Sequence, residues 1–180
     1  MLMTFKRLAA VITVIIAVNF TAQARYTDIL NIRRANRGIA ALRSMADGEH
    51  YTTLEGKSIV RTAYADRNDR TTLFTAPFSV ADYTFSPDQK MVLFANASTV
   101  SPIYRHSFTA DYLLTGGAKD VTFTAVRDIT FSPDSRMLAY CRQNNLYIYD
   151  LATEKTTAVT TDGCWNSIIN GTSDWVYEEE

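Results

Sequence analysis

Tyr83-Thr84-Phe85-Ser86-Pro87-Asp88-Gln89-Lys90-Met91-Val92-Leu93-Phe94 returns 46 residues later as Ile129-Thr130-Phe131-Ser132-Pro133-Asp134-Ser135-Arg136-Met137-Leu138-Ala139-Tyr140. In both copies Ser-Pro-Asp stands between two hydrophobic runs. Proline presets φ at the first central position of a turn, aspartate is comfortable at the second, and the flanking aromatic and aliphatic residues suit a pleated, buried surface. Each copy therefore reads as a β-hairpin.

Working outward, Leu146–Leu151 and Lys155–Val159 follow the second hairpin as two further strand candidates joined by a polar turn. Two hairpins make a four-stranded unit, and a repeat of about 40–50 residues is that of a β-propeller blade. Upstream, Ile59–Ala65 and Thr71–Phe74 have the character of the outer strands of a preceding blade, separated by Asp66-Arg67-Asn68-Asp69. Between Tyr26 and Met45 the pattern changes. Ile29, Ile32, Ile39 and Leu42 allow one or two short helices there.

The expected fold is thus mostly β: an incomplete β-propeller over residues 59–180, of about two four-stranded blades and the start of a third, behind a short helical segment at 25–58. Propellers close with about 4–8 blades, so a chain of this length is expected to be part of a longer protein or to be completed by partners.

Ahead of these elements stand Lys6 and Arg7, an apolar stretch from Leu8 to Val18, and Ala22-Gln23-Ala24. This is the order of a secretory signal peptide, residues 1–24, with cleavage after Ala24. The apolar stretch has 11 residues, whereas a helix crossing a bilayer takes about 20. A periplasmic or secreted product without a permanent membrane span is expected. Cleavage leaves 156 residues and moves the formal charge from −1 to −3. With lysine and arginine scattered, the electrostatic footprint of a DNA- or RNA-binding protein is missing.

Cys141 and Cys164 could form a disulfide in an exported protein, or stay as two small unpaired hydrophobes. His50 and His106 have no Cys or His neighbour at ligand spacing, so no metal site and no cofactor is expected. Asn96-Ala97-Ser98 and Asn170-Gly171-Thr172 match the glycosylation sequon, but the signal peptide is of bacterial type and modification is not expected.

The chain closes on Asn170-Gly171-Thr172-Ser173-Asp174-Trp175-Val176-Tyr177-Glu178-Glu179-Glu180. This run resembles the segment of the dipeptidyl peptidase IV family that projects from an eight-bladed propeller and holds the substrate's N-terminus. Tyr104-Arg105-His106-Ser107-Phe108-Thr109-Ala110 is similar to a second family segment, one blade earlier and in the correct order. Ser44-Met45-Ala46-Asp47-Gly48-Glu49-His50-Tyr51 looks like the N-terminal region of the family's bacterial branch.

What the resemblance implies is a serine-type exopeptidase that releases N-terminal dipeptides. Glu179 and Glu180 correspond to the pair that binds the substrate's α-ammonium, and Arg105 to the anchor of a substrate carbonyl. Trp175 and Tyr177 would support the segment, while Glu178 and His106 receive no role. The chemistry is suited to counting from a free amine: an ammonium donates three hydrogen bonds, and charge-assisted bonds are about twice as strong as neutral ones. On a regular strand two consecutive glutamates would point to opposite faces, so Trp175 to Glu180 is expected to leave the sheet as a turn or helical bend.

Family catalysis belongs to an α/β-hydrolase domain with its serine on a Gly-x-Ser-x-Gly elbow. No such run occurs in the 180 residues, and no catalytic residue is assigned. By this reading the chain alone is inactive, its partners in the full-length protein are peptide N-termini, and a homodimer is implied by the family likeness. The alternative is a non-catalytic periplasmic propeller module that serves interactions only.

Overall fold

The computed structural model describes residues 41–179. The expected leader, Glu180 and most of the expected helical stretch lie outside them. Within the described residues the chain forms β1 (Arg43–Ser44), β2 (His50–Glu55), β3 (Ser58–Ala63), β4 (Arg70–Thr75), β5 (Val80–Phe85), β6 (Val92–Asn96), β7 (Ser101–Pro102), β8 (Phe108–Thr115), β9 (Val121–Phe131), β10 (Met137–Arg142), β11 (Asn145–Asp150), β12 (Lys155–Ala158) and one helical turn, α1 (Trp175–Glu179).

Each Ser-Pro-Asp turn is built the same way. Gln89 N–H donates to the Ser86 carbonyl at 2.8 Å, and Ser135 N–H to the Ser132 carbonyl at 2.9 Å. The serine hydroxyl donates to the aspartate two residues on at 2.6 Å in both turns, and accepts from the Met91 or Met137 N–H. Those hydroxyl bonds hold the carboxyls of Asp88 and Asp134 below the usual carboxylate range. Gln89 and Ser135 both take a left-handed backbone, φ 59° and 60°. The two turns also meet: the Asp88 N–H donates to the Ser135 hydroxyl at 3.1 Å, tying one repeat to the next.

The strands assemble into three four-stranded antiparallel units, an incomplete β-propeller. One sheet runs β1-β2-β3-β4; the remaining strands form one hydrogen-bonded array, β12-β11-β10-β9-β8-β6-β5, with β7 beside β8. The 11-residue strand β9 serves two blades. Its first half pairs with β8 (Leu114↔Val121, Ala110↔Val126) and its second half with β10 (Arg127↔Cys141, Phe131↔Leu138). Ala125 and Asp128, at φ 51° and 53°, bracket the change of partner. The second blade is therefore β5-β6-β8 with the first half of β9, and the third is the second half of β9 with β10-β11-β12.

The first four-stranded unit begins at Arg43, so the described residues make up three such units, in keeping with the expected incomplete β-propeller. Of the stretch expected to be helical, the described part carries β1 instead. β2, with the sequence His-Tyr-Thr-Thr-Leu-Glu, has no apolar alternation to announce it. Its buried residues are Thr52 and Thr53. Thr52 is accommodated by a 2.9 Å hydrogen bond with the Tyr83 hydroxyl, which itself donates to the Ala41 carbonyl at 2.8 Å.

Packing between blades explains why β6 is buried on both sides. Side chains alternate along a strand, so Val92 and Phe94 join Ile59, Ala76 and Tyr83 in a core shared by the first and second blades. Leu93 turns the other way, into a core with Leu114, Phe123, Val126, Phe131, Leu138, Tyr140 and Tyr149 that joins the second blade to the third. At its edge the first interface is also held by an Arg43–Asp82 ion pair at 2.7 Å, with the Arg43 guanidinium over the Tyr83 ring. Cys141 is buried, Cys164 is exposed, and both thiols are free. Among the described residues no helix is long and apolar enough to cross a membrane.

Candidate functional site

Arg105 is carried by an extension of the second blade. β7 pairs with the start of β8 (Ser101↔Thr109, Pro102↔Phe108). The Ile103 and Tyr104 N–H groups both donate to the Ser107 carbonyl, at 2.9 and 3.3 Å. This closes the base of the loop and leaves Arg105 and His106 exposed near its tip.

Beneath the loop, a cavity of about 150 Å³ is bordered by His106, Ser107 and Tyr112 and by the carboxylates of Asp82 and Asp128. Burial, and then the charges of Asp128 and Asp82, push the Tyr112 phenol up to about 12. Burial raises Tyr83 and Tyr149 in the same direction. A tyrosine pKa raised on folding means that the folded state keeps its proton longer. The resulting stability is fully present below pH ~10 and is lost as pH rises toward ~12. Urea midpoints should therefore fall steeply across that window, and Tyr112→Phe should flatten the fall while leaving the midpoint at pH 7 nearly unchanged.

The closing segment is fastened to the third blade by three consecutive residues. The Asn170 N–H donates to the Asn144 carbonyl at 3.0 Å, and its own carbonyl accepts from the Cys141 thiol at 3.3 Å. Burial pushes the Cys141 pKa up, which keeps the thiol protonated and able to donate. Gly171 sits at φ +76°, and a Cβ on it would lie 2.9 Å from the Cys141 sulfur. Arg127 donates from Nη2 to the Thr172 hydroxyl and from Nε to Asp128 at 3.0 Å.

Beyond this anchor the chain turns up into α1. The Asp174 carboxylate accepts from the Tyr177 N–H at 3.2 Å, an N-cap bond that satisfies one of the orphan donors at a helix start. Trp175, Val176 and Tyr177 are 59, 49 and 78% exposed, so the turn is not packed into a blade among the described residues. Glu179 is its last residue, and Glu180 lies outside the description.

A cavity of about 220 Å³ lies between the two segments. It is lined by Ile103 and Thr109 at the base of the Arg105 loop, by Cys141 and Arg142 of β10, and by Trp165 and Thr172. Ile103, at the base of the Arg105 loop, and Thr172, ahead of α1, thus line one cavity although 69 residues separate them. Of the residues that hold the arrangement, Arg127 was not singled out from the sequence, Cys141 stood there only as a possible disulfide partner, and Thr172 only as part of a sequon and of the closing run.

A family model described as the N-terminal region of dipeptidyl peptidase IV (DPP IV) matches residues 86–180, which include both segments and both Ser-Pro-Asp turns. The chain belongs to this family. Dipeptidyl peptidase 4 of Trichophyton equinum is 31% identical over 151 residues, covering 79% of this chain and 19% of the relative. The crystal structure of Porphyromonas gingivalis dipeptidyl peptidase 4 superposes with a TM-score of 0.68 at 36% identity, covering 78% of this chain and 22% of that one. Inactive dipeptidyl peptidase 10 of Rattus norvegicus is 29% identical over 143 residues, covering 74% of this chain and 17% of the relative. The chain spans about a fifth of the length of these DPP IV relatives. A relative described as inactive shares the same region, so membership of the DPP IV family does not by itself assign catalysis.

Proposed function

We propose that this chain is the N-terminal substrate-recognition part of an exported dipeptidyl peptidase IV-like serine exopeptidase. Glu179 and Glu180 bind the α-ammonium of a peptide, and Arg105 directs its guanidinium fork at a carbonyl of the second residue. The observation that carries this reading is that Trp175–Glu179 forms a helical turn with Trp175, Val176 and Tyr177 exposed, rather than a further blade strand. An amine anchor and a carbonyl anchor held at a set distance measure a dipeptide. Adjacent carboxylates repel one another, and a cation relieves that repulsion, so the site favours a charged amine. In this reading Trp175 and Tyr177 support the segment and residues 1–24 direct export. The chain by itself leaves peptides uncut, because the Gly-x-Ser-x-Gly elbow on which family catalysis depends is not among its 180 residues.

Titration of the chain with glycyl-prolinamide and with its N-acetylated form tests the proposal. The free amine should bind and the acetylated peptide should lose at least about tenfold in affinity. Glu179→Gln and Glu180→Gln should each weaken the free amine by about tenfold, the scale of one hydrogen bond to a charged group. Arg105→Ala should weaken binding without erasing the difference between the two ligands. Equal affinity for the free and acetylated peptides would sink the amine site.

A further inference from the structure

We infer that the 220 Å³ cavity is a carboxylate-binding subsite that takes the side chain of the substrate's first residue, so that the site favours peptides beginning with glutamate or aspartate. This rests on the proposed amine site, and it adds a second pole of opposite sign. Arg142 and Arg127 line the cavity together with Gln143 and Asn144, and no carboxylate is among its lining residues.

The two guanidiniums are held in different ways. Arg127 is nearly buried, at 9% side-chain exposure, with Nε on Asp128 and Nη2 on Thr172. Those contacts use two of its five N–H donors. Arg142 has neither an ion pair nor a side-chain hydrogen bond among the described residues. Its guanidinium stands 5.1 Å from the Tyr147 ring centroid and 5.9 Å from that of Tyr140, over two rings stacked 5.5 Å apart at 14°. Stacking fixes the plane of a guanidinium without consuming its donors. The result is an oriented fork, open to a ligand, beside a second buried cation whose charge is only partly matched by Asp128. An entering carboxylate relieves the repulsion between the two and accepts from both.

Size and position agree. A volume of about 220 Å³ is roughly that of seven waters, enough for a glutamate side chain. Ile103 in the wall is two residues from Arg105, and Thr172 is three residues before α1.

The test uses the full chain and four probes: Glu-Pro-amide, Gln-Pro-amide, N-acetyl-Glu-Pro-amide and sodium acetate. Glu-Pro-amide should bind about tenfold more tightly than Gln-Pro-amide, and the advantage should shrink with added salt. Arg142→Met, which keeps the apolar stem on the tyrosines, should erase the advantage by weakening Glu-Pro-amide more than Gln-Pro-amide; Arg142→Lys should retain part of it. Equal binding of the Glu and Gln peptides, or an advantage that survives in both Arg142 variants, overturns the subsite. Equal peptide affinities together with an acetate-dependent shift of the Arg142 side-chain resonance identify a free-anion site and overturn the substrate role. If N-acetyl-Glu-Pro-amide binds as tightly as the free amine while the Glu-over-Gln preference holds, the amine site falls and the subsite stands.

Discussion

Gly171→Val should abolish peptide binding by the chain while leaving the blades folded. Residue 171 has φ +76°, a conformation that costs an L-residue about 1–2 kcal/mol and is worst for a β-branched one. A Cβ there would stand 2.9 Å from the Cys141 sulfur and 3.0 Å from the Leu146 side chain, adding roughly 1–3 kcal/mol of overpacking. Against this stand the fastenings of the segment: the Asn144–Asn170 bond, the Cys141–Asn170 bond and the Arg127–Thr172 bond. Neutral hydrogen bonds are worth about 0.5–1.5 kcal/mol net, and one to a charged donor about 1.5–3. The strain is of the same size as the fastening, whereas the core of the third blade offers many more contacts. The segment therefore lets go before the blade does. Peptide titration should show no measurable binding, and hydrogen exchange should show protection lost at Asn170–Thr172 but kept across β10 and β11. Gly171→Ala combined with Cys141→Ala should recover the packing part of the loss and not the backbone part. Peptide binding at normal strength by Gly171→Val would remove Gly171 from the positioning of the site.

What was legible in the sequence is what is encoded locally. Ser86-Pro87-Asp88 and Ser132-Pro133-Asp134 announce their hairpins because the serine-hydroxyl bonds that shape each turn lie within five residues. The departure of the Trp175 segment from the sheet followed from two glutamates having to face one way, and α1 is the form it takes. The parts that escaped depend on partners distant in sequence. β2 is a strand whose buried threonines make sense only once Tyr83, 31 residues on from Thr52, is beside it. Val121–Phe131 reads as one run, and nothing in its residue types says that it changes blades at Ala125 to Asp128, where two non-glycine residues take left-handed backbone. Arg127 is a charged residue within a strand pattern, which ordinarily means solvent. It is buried because Asp128 and Thr172, 45 residues away, supply its bonds.

Phe94→Ala should detach the first blade, with an expected loss of about 3–5 kcal/mol. Phe94 is fully buried on the face of β6 that meets Ile59, Ala76 and Tyr83, and truncating an aromatic there removes both its transfer energy and the packing of its neighbours. Single domains have about 5–15 kcal/mol of stability in total, so the loss is a large share of what holds the chain together. Its effect should also be directional. The neighbouring Leu93 points into the other core, with Leu138 and Tyr140, and Leu93→Ala, at about 2–5 kcal/mol, should loosen the third blade. Hydrogen exchange separates the two outcomes. Phe94→Ala should expose the amides of β2, β3 and β4 while β10 and β11 stay protected, and Leu93→Ala should do the reverse. Blades that bury their cores only against neighbours behave as a nearest-neighbour stack, and this pair of adjacent residues tests that description directly. A uniform loss of protection in both variants would mean instead that the three blades unfold as one cooperative unit. In that case the third blade, which carries the anchor of the binding segment, would depend for its stability on Phe94 as much as on Leu93.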